Sequence, residues 1–271
     1  MADTPGFHLK GTAPERYERY AAPLMAPFVT ALLDAADLYP GATVLDLACG
    51  TGFVARGAAA RVGPAGRVHG ADLNEGMVKV ARVHHPRMYP DIEFTAASAD
   101  RLPYPDATFD VVVCQQGAQF FPDLDAALAE VARVTRPGGR FAATVWADRS
   151  LSPYFAAQYE VVAEYGGARV AESCAAALAC TADRLTTGLE TAGFHDATAH
   201  QVTFGITLPP LDTYARDQLS ATPWGQELLD TRGEEALTEA GRAMAARLAD
   251  RTAADGTATL PFTATLATAV R

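Results

Sequence analysis

The stretch Val44-Leu45-Asp46-Leu47-Ala48-Cys49-Gly50-Thr51-Gly52-Phe53-Val54-Ala55 constrains this chain more than any other. Its apolar start fits a buried strand, its two glycines fit a turn, and the residues that follow fit a helix. A turn of this kind aims the free N–H groups of a helix N-terminus at a ligand. Gly50 and Gly52 allow positive φ there and remove the Cβ atoms that would hold a ligand off the backbone. Gly50-Thr51-Gly52-Phe53-Val54-Ala55, with Asp72 about twenty residues on, also satisfies the dinucleotide fingerprint. Asp46 separates the possible ligands. A pyrophosphate would meet a like charge, whereas a cofactor that carries positive charge and no phosphate is favoured. The plainer alternative is that Asp46 only caps the local loop.

Strands and helices alternate along the chain, the pattern of a parallel sheet covered on both faces. Short apolar runs predict strands over residues 43–47, 67–71, 92–96, 110–114 and 140–146. Helices are predicted over 53–61, 75–84 and 124–135, the last stopping at the turn Arg136-Pro137-Gly138-Gly139. A helix over 183–192, a strand over 197–206 and a final strand over 258–270 continue the series. Pro261 marks that final strand as an edge or as bulged. The chain reads as one domain, 1–271. Residues 39–150 form its ligand-binding core, 1–38 a helical lid, and 151–180 and 209–256 helical insertions beside the carboxyl edge of the sheet, where ligands of open α/β sheets bind.

Charge and cysteine content exclude other classes. The net charge is −10 and the only lysines are Lys10 and Lys79, so nucleic acid is not the expected partner. No apolar run is long enough to span a bilayer and the first ten residues do not read as a secretory signal, so a cytoplasmic protein without a membrane partner is expected. Cys49, Cys114, Cys174 and Cys180 show no zinc spacing; reduced, partly buried thiols and no metal are expected.

Leu45-Asp46-Leu47-Ala48-Cys49-Gly50-Thr51-Gly52 resembles the first motif of the class I S-adenosylmethionine-dependent methyltransferases. His69-Gly70-Ala71-Asp72-Leu73-Asn74-Glu75-Gly76-Met77 resembles the family's second strand with its ribose-binding acid. Ala97-Ser98-Ala99-Asp100-Arg101-Leu102-Pro103-Tyr104 resembles the adenine loop, Phe109 to Cys114 the fourth strand, and Arg133 to Arg140 the turn before the fifth. The likeness covers about residues 39–146. It is nearest to the ubiquinone/menaquinone-biosynthesis-like branch through Cys114-Gln115-Gln116-Gly117-Ala118-Gln119-Phe120-Phe121-Pro122.

The resemblance implies an α/β three-layer sandwich around a seven-stranded, mostly parallel Rossmann-like sheet with its last strand antiparallel, and S-adenosyl-L-methionine as cofactor. The implied cofactor residues are Asp46, Ala48, Gly50, Thr51 and Gly52 on the first turn, Asp72, Leu73 and Met77 on the second, Ala99 and Asp100 on the third, and Gln115 and Gln116 after the fourth strand. Bland roles stay open for some of them: a helix cap for Asp72, a loop carboxylate for Asp100, core packing for Met77, exposed loop side chains for the glutamines. Tyr17 and Tyr20, three apart on one helical face, with Gln119, Phe120, Trp146 and Tyr154, are the candidates for a small-molecule acceptor. No catalytic base stands out. His195 falls at the amino edge, His84 and His85 end a helix, and His8 matters only if its segment folds over the site. Three readings remain: methyl transfer to an O, N or C atom of a small metabolite of natural-product or quinone-like biosynthesis; a non-methylating reaction, such as cyclisation, over a structural cofactor; and NAD(P)-dependent oxidoreduction. Against the last, the Tyr-x-x-x-Lys pair of short-chain dehydrogenases is absent. Oligomeric state is not legible.

Overall fold

The computed structural model describes residues 9–84 and 90–271, so the readings of His8 and His85 lie outside the described residues. The chain begins with a short helix α1 (Ala13–Arg16), a widened π-type turn over Tyr17–Ala21, a 3-10 turn over Ala22–Met25 and helix α2 (Ala26–Ala35). The alternating core follows: β1 (Thr43–Leu47), α3 (Phe53–Val62), β2 (Arg67–Asp72), α4 (Glu75–His84), β3 (Ile92–Ala96), β4 (Phe109–Gln115), α5 (Leu124–Val134) and β5 (Thr135–Trp146). After it come α6 (Pro153–Gly166), α7 (Ala168–Ala176), α8 (Ala182–Thr191), β6 (His195–Leu208), α9 (Leu211–Leu219), α10 (Pro223–Arg247) and β7 (Ala258–Val270).

The seven strands run in the order β3-β2-β1-β4-β5-β7-β6, with β1 to β5 parallel and β7 antiparallel to both of its neighbours. β1 and β4 read as continuous apolar runs because both faces of the sheet are covered there. On one face Val29, Leu32 and Leu33 of α2 and Ala58 and Ala59 of α3 pack over Val44 and Val111; on the other Leu128 and Val131 of α5 and Leu185 and Leu189 of α8 pack over Leu45 and Val112. Each such fully buried branched side chain contributes roughly 1.5–3 kcal/mol. The order reverses between β1 and β4, and the carboxyl ends of these strands open toward ligand at that point.

Two boundary expectations are corrected. The helix before β5 ends at Val134, one residue early, because Thr135 turns extended and its hydroxyl donates to the Val131 carbonyl at 2.6 Å. The Arg136-Pro137-Gly138-Gly139 stretch is not a separate turn but the irregular start of β5, where the register with β4 shifts and Gly138 takes φ +78°.

The edge reading of Pro261 also needs correction, since β7 lies inside the sheet and the edge strand is β6. Proline is tolerated because the pairing with β5 stops at Ala264, while that with β6 continues to Ala258. At Pro261 the ribbon has outrun β5, so no sheet neighbour requires the missing N–H.

All four cysteines are free, and Cys49, Cys114 and Cys174 are buried. No helix among the described residues is long and apolar enough to cross a membrane.

Candidate functional site

The carboxyl ends of β1, β2 and β4 and the segment after β3 supply Leu47, Ala48, Asp72, Leu73, Ala99, Asp100, Gln115 and Gln116 to one wall of an open cavity of about 1210 Å³. Tyr17, Leu24 and Met25 cover it from the N-terminal segment. Its far wall is Phe120, Trp146, Phe155, Gln158, Gln218 and Trp224. Gly50 and Thr51 line a smaller recess that shares Tyr17, Met25, Ala48 and Gln115 with the cavity.

Asp72 organises the loops at the near end. Its Oδ2 accepts from the Gly50 amide and its Oδ1 from the Asn74 amide, both at 2.8 Å. Asn74, not Asp72, accepts from the Gly76 amide at the start of α4. A carboxylate has about four lone-pair directions, and one at the end of β2 beside a glycine turn is of the kind that accepts from vicinal ribose hydroxyls. Ala48 and Gln116 both carry positive φ, +56° and +52°, although neither is glycine. Such conformations persist where the surroundings over-determine them, and both residues face the cavity. Gln116 is fixed by its amide, which donates to the Thr144 carbonyl at 2.8 Å, and by Gln119, whose Nε2 donates to Gln116 Oε1 at 3.2 Å.

Several expected contacts fall elsewhere. Asp46 lines neither cavity: it is 1% exposed beneath the loop, and its Oδ2 accepts from the Ala55 amide at 2.8 Å. Burial pushes its carboxyl up to about 8. Gly50 faces outward, its missing Cβ about 4 Å from Tyr17 and Met77, but Gly52 answers to packing. A Cβ there would stand 2.7 Å from Phe94 of β3. Met77 is a core residue with Leu9, Ala13 and Tyr17.

On the acceptor side Tyr17 and Tyr20 separate. Tyr17 lies in the cavity, its hydroxyl 3.7 Å from Met25 Sδ and its acidity lowered by burial and by Asp72. Tyr20 lines a different groove beside Tyr214. The physical reason is the π-type turn, which adds about one residue per turn and takes positions three apart off a common face. Gln119 does not line the cavity and acts through Gln116. Tyr154 is fully buried, and the neighbouring Phe155 takes the expected place at the wall. Phe120 and Trp146 are where expected.

Sequence reasoning did not assign Leu24, Met25, Gln158 or Gln218 to the site, whereas Phe155 and Trp224 are among the aromatics of the two insertions that it offers as pocket lining. A signal existed for the two glutamines. Gln158 sits at helical spacing among Tyr154, Phe155, Val161 and Val162, and Gln218 among Leu211, Ala215 and Leu219, each a polar interruption of an apolar stripe. No histidine lines the cavity, and no cluster of metal-ligating side chains occurs, among the described residues.

The space beside Asp72 and Asp100, with a glycine turn next to it and no cationic side chain among the described residues that line it, fits a phosphate-free, positively charged cofactor. The comparisons agree with this geometry. Residues 44–139 match the family described as Methyltransferase domain. The chain is 32% identical over 187 residues to the ubiquinone/menaquinone biosynthesis C-methyltransferase UbiE of Escherichia coli O1:K1, covering 64% of this chain and 74% of that protein. It therefore belongs to the class I S-adenosylmethionine-dependent methyltransferases, with S-adenosyl-L-methionine as cofactor.

Within that class its likeness is to UbiE proteins. That of Hydrogenovibrio crunogenus is 41% identical over 110 residues, but this match spans only 40% of the chain and 43% of that relative. Among solved structures, a phosphoethanolamine N-methyltransferase 2 of Haemonchus contortus, in complex with phosphomonomethylethanolamine and S-adenosylhomocysteine, shares the fold. Its TM-score is 0.60 at 18% identity, over 96% of this chain and 57% of that one.

Proposed function

We propose that this protein transfers the methyl group of S-adenosylmethionine to a C, O or N atom of a small, largely apolar metabolite of quinone-like or natural-product type, in the cytoplasm and without a nucleic-acid or membrane partner. One observation carries the reading: a single cavity runs from the carboxylates of the second and third turns, Asp72 and Asp100, to the aromatic wall of Trp146, Phe155 and Trp224. The relatives' quinone-directed C-methylation supports the carbon-acceptor form of it.

The bound cofactor supplies an activated methyl on a good leaving group, so the protein's part is alignment. Asp72 and Asp100 hold the adenosine end, and Gln115, through its Nε2 bond to the Met25 carbonyl at 3.3 Å, ties the N-terminal segment to the β4 turn. Tyr17, Leu24 and Met25 keep water from the space between. Holding two reactants in line is worth effective molarities on the order of 10⁵ M or more. With no histidine among the described residues that line the cavity, an acceptor that is already nucleophilic suits this lining better than one that must lose a proton first.

The test is to incubate the protein with labelled S-adenosylmethionine and reduced menadione and to follow both products. Acceptor-dependent formation of S-adenosylhomocysteine and methylated menadiol is expected. Tight cofactor binding with no methyl transfer to menadiol or to a panel of hydroxylated aromatic acceptors would favour the non-methylating reading.

A further inference from the structure

Two buried amides stand in the far wall, away from the carboxylates of the cofactor end. Gln158 of α6 is 1% exposed and Gln218 of α9 is 5% exposed, and both line the cavity. Gln158 Nε2 donates to Gln218 Oε1 at 2.7 Å, and the buried Tyr154 hydroxyl donates to the same oxygen at 3.2 Å. That oxygen is then saturated. The Gln218 amide nitrogen and the Gln158 carbonyl take no hydrogen bond from any described residue. Exchanging oxygen and nitrogen in both amides would reverse the bond and move the unused NH2 to Gln158 and the unused C=O to Gln218, so the pair presents one amide donor and one carbonyl in either assignment.

The surroundings limit what these groups can meet. The charged side chains of the cavity, Asp72, Asp100 and Asp123, are all acidic, and no cationic side chain lines it among the described residues. An anionic group would find only like charges and no counter-ion among the described residues, whereas a neutral oxygen can take a hydrogen bond from the unused amide donor. Trp146, Phe155 and Trp224 accept an apolar body beside it.

We infer that Gln218 is a specificity-determining residue that receives an uncharged oxygen of the acceptor, a hydroxyl or carbonyl, that Tyr154 and Gln158 position its amide, and that acceptors with a carboxylate or phosphate at this place are rejected. The inference rests on the methyl-transfer reading of the cavity.

Equilibrium dialysis of 2-naphthol, 2-naphthoate and naphthalene against the full chain saturated with S-adenosylhomocysteine tests it. The hydroxyl probe should bind about tenfold or more tighter than the carboxylate; Gln218→Leu should weaken 2-naphthol about tenfold and leave naphthalene unchanged. Tyr154→Phe, which frees the amide to turn, should weaken 2-naphthol about threefold with naphthalene again unchanged. Equal binding of naphthol and naphthoate, no saturable binding of naphthol, or equal weakening of naphthol and naphthalene by Gln218→Leu would each overturn the assignment. Calorimetric titration with S-adenosylhomocysteine keeps the two ideas apart. Failure to bind it removes the methyl-transfer reading, whereas normal binding without discrimination among the probes removes only the role of Gln218.

Discussion

The cofactor end of the cavity is made of backbone turns and carboxylates at the ends of strands, while the acceptor end is made of side chains on inserted helices. Turns after β1, β2 and β3 are fixed by the sheet register and by bonds such as those from Gly50 and Asn74 to Asp72. The wall formed by Phe155, Gln158, Gln218 and Trp224 rests instead on helix packing, with α6 against α10 and α10 against α9. A ligand common to a whole class is thus read mostly by backbone geometry, and a ligand particular to one protein by side chains that substitution can change without disturbing the sheet.

The largest effect that would break this division is at Asp72. Asp72→Ala should weaken S-adenosylhomocysteine binding by roughly 2–4 kcal/mol, about thirty- to a thousandfold, because the ribose contacts and the order of the Gly50 loop go together. Calorimetric titration measures it, and an unchanged dissociation constant would put the cofactor elsewhere.

Asp46 sharpens the comparison through pH. Its carboxyl is raised from 3.8 to about 8 by burial, so the folded state keeps a proton that the unfolded chain has already lost between those values. Stability of the cofactor-free protein should therefore be highest below pH 4 as far as this group is concerned, fall as pH rises to about 8, and then level off. The slope is at most about 1.4 kcal/mol per pH unit. Asp46→Asn should remove this slope. Urea unfolding of both proteins at a series of pH values reads the difference, and parallel curves would mean that Asp46 is already ionised in the fold.

At the acceptor end, Trp224→Ala should raise the acceptor's KM or lower kcat about tenfold, near 1.4 kcal/mol, while cofactor affinity stays within about threefold. A comparable loss in cofactor binding would show the two ends to be coupled. The smallest effect is that of Tyr154→Phe on stability, about 1 kcal/mol by denaturant unfolding, since only one donor to Gln218 is lost and the ring stays packed.

These two ends were also unequally legible in the sequence. The strands and helices of the core follow from runs such as Val44 to Leu47 and from the periodicity of Leu124 to Val134, and four of the parallel strands agree with the structure to within a residue or so at each end. Asp72, Ala99 and Asp100 line the cavity at turns that the sequence already marks, because turn chemistry is local. Asp46 and Gly52 stand off the cavity, and their contacts, the bond from the Ala55 amide and the clearance for Phe94, depend on what folds over them. Tyr154 and Phe155 differ by one step on a helix, and no local pattern says which of two adjacent aromatics meets a cavity and which meets the core. Tyr20 was lost to a π-type turn that propensity does not announce.

The interior position of β7 also orders events in time. β5 and β6 run in the same direction on either side of it, and without it they would stand two strand spacings apart, roughly 9–10 Å, with nothing between to join them. Phe262 and Ala264 of β7 belong to the same apolar cluster as Trp146, Phe155 and Trp224. On the ribosome, every turn on the cofactor side has been synthesised by the time Trp146 is made, whereas this cluster waits for the residues from 258 onward, about a hundred additions and several seconds later. A growing chain therefore becomes competent for its nucleoside ligand before it has a finished chamber for the molecule to be modified.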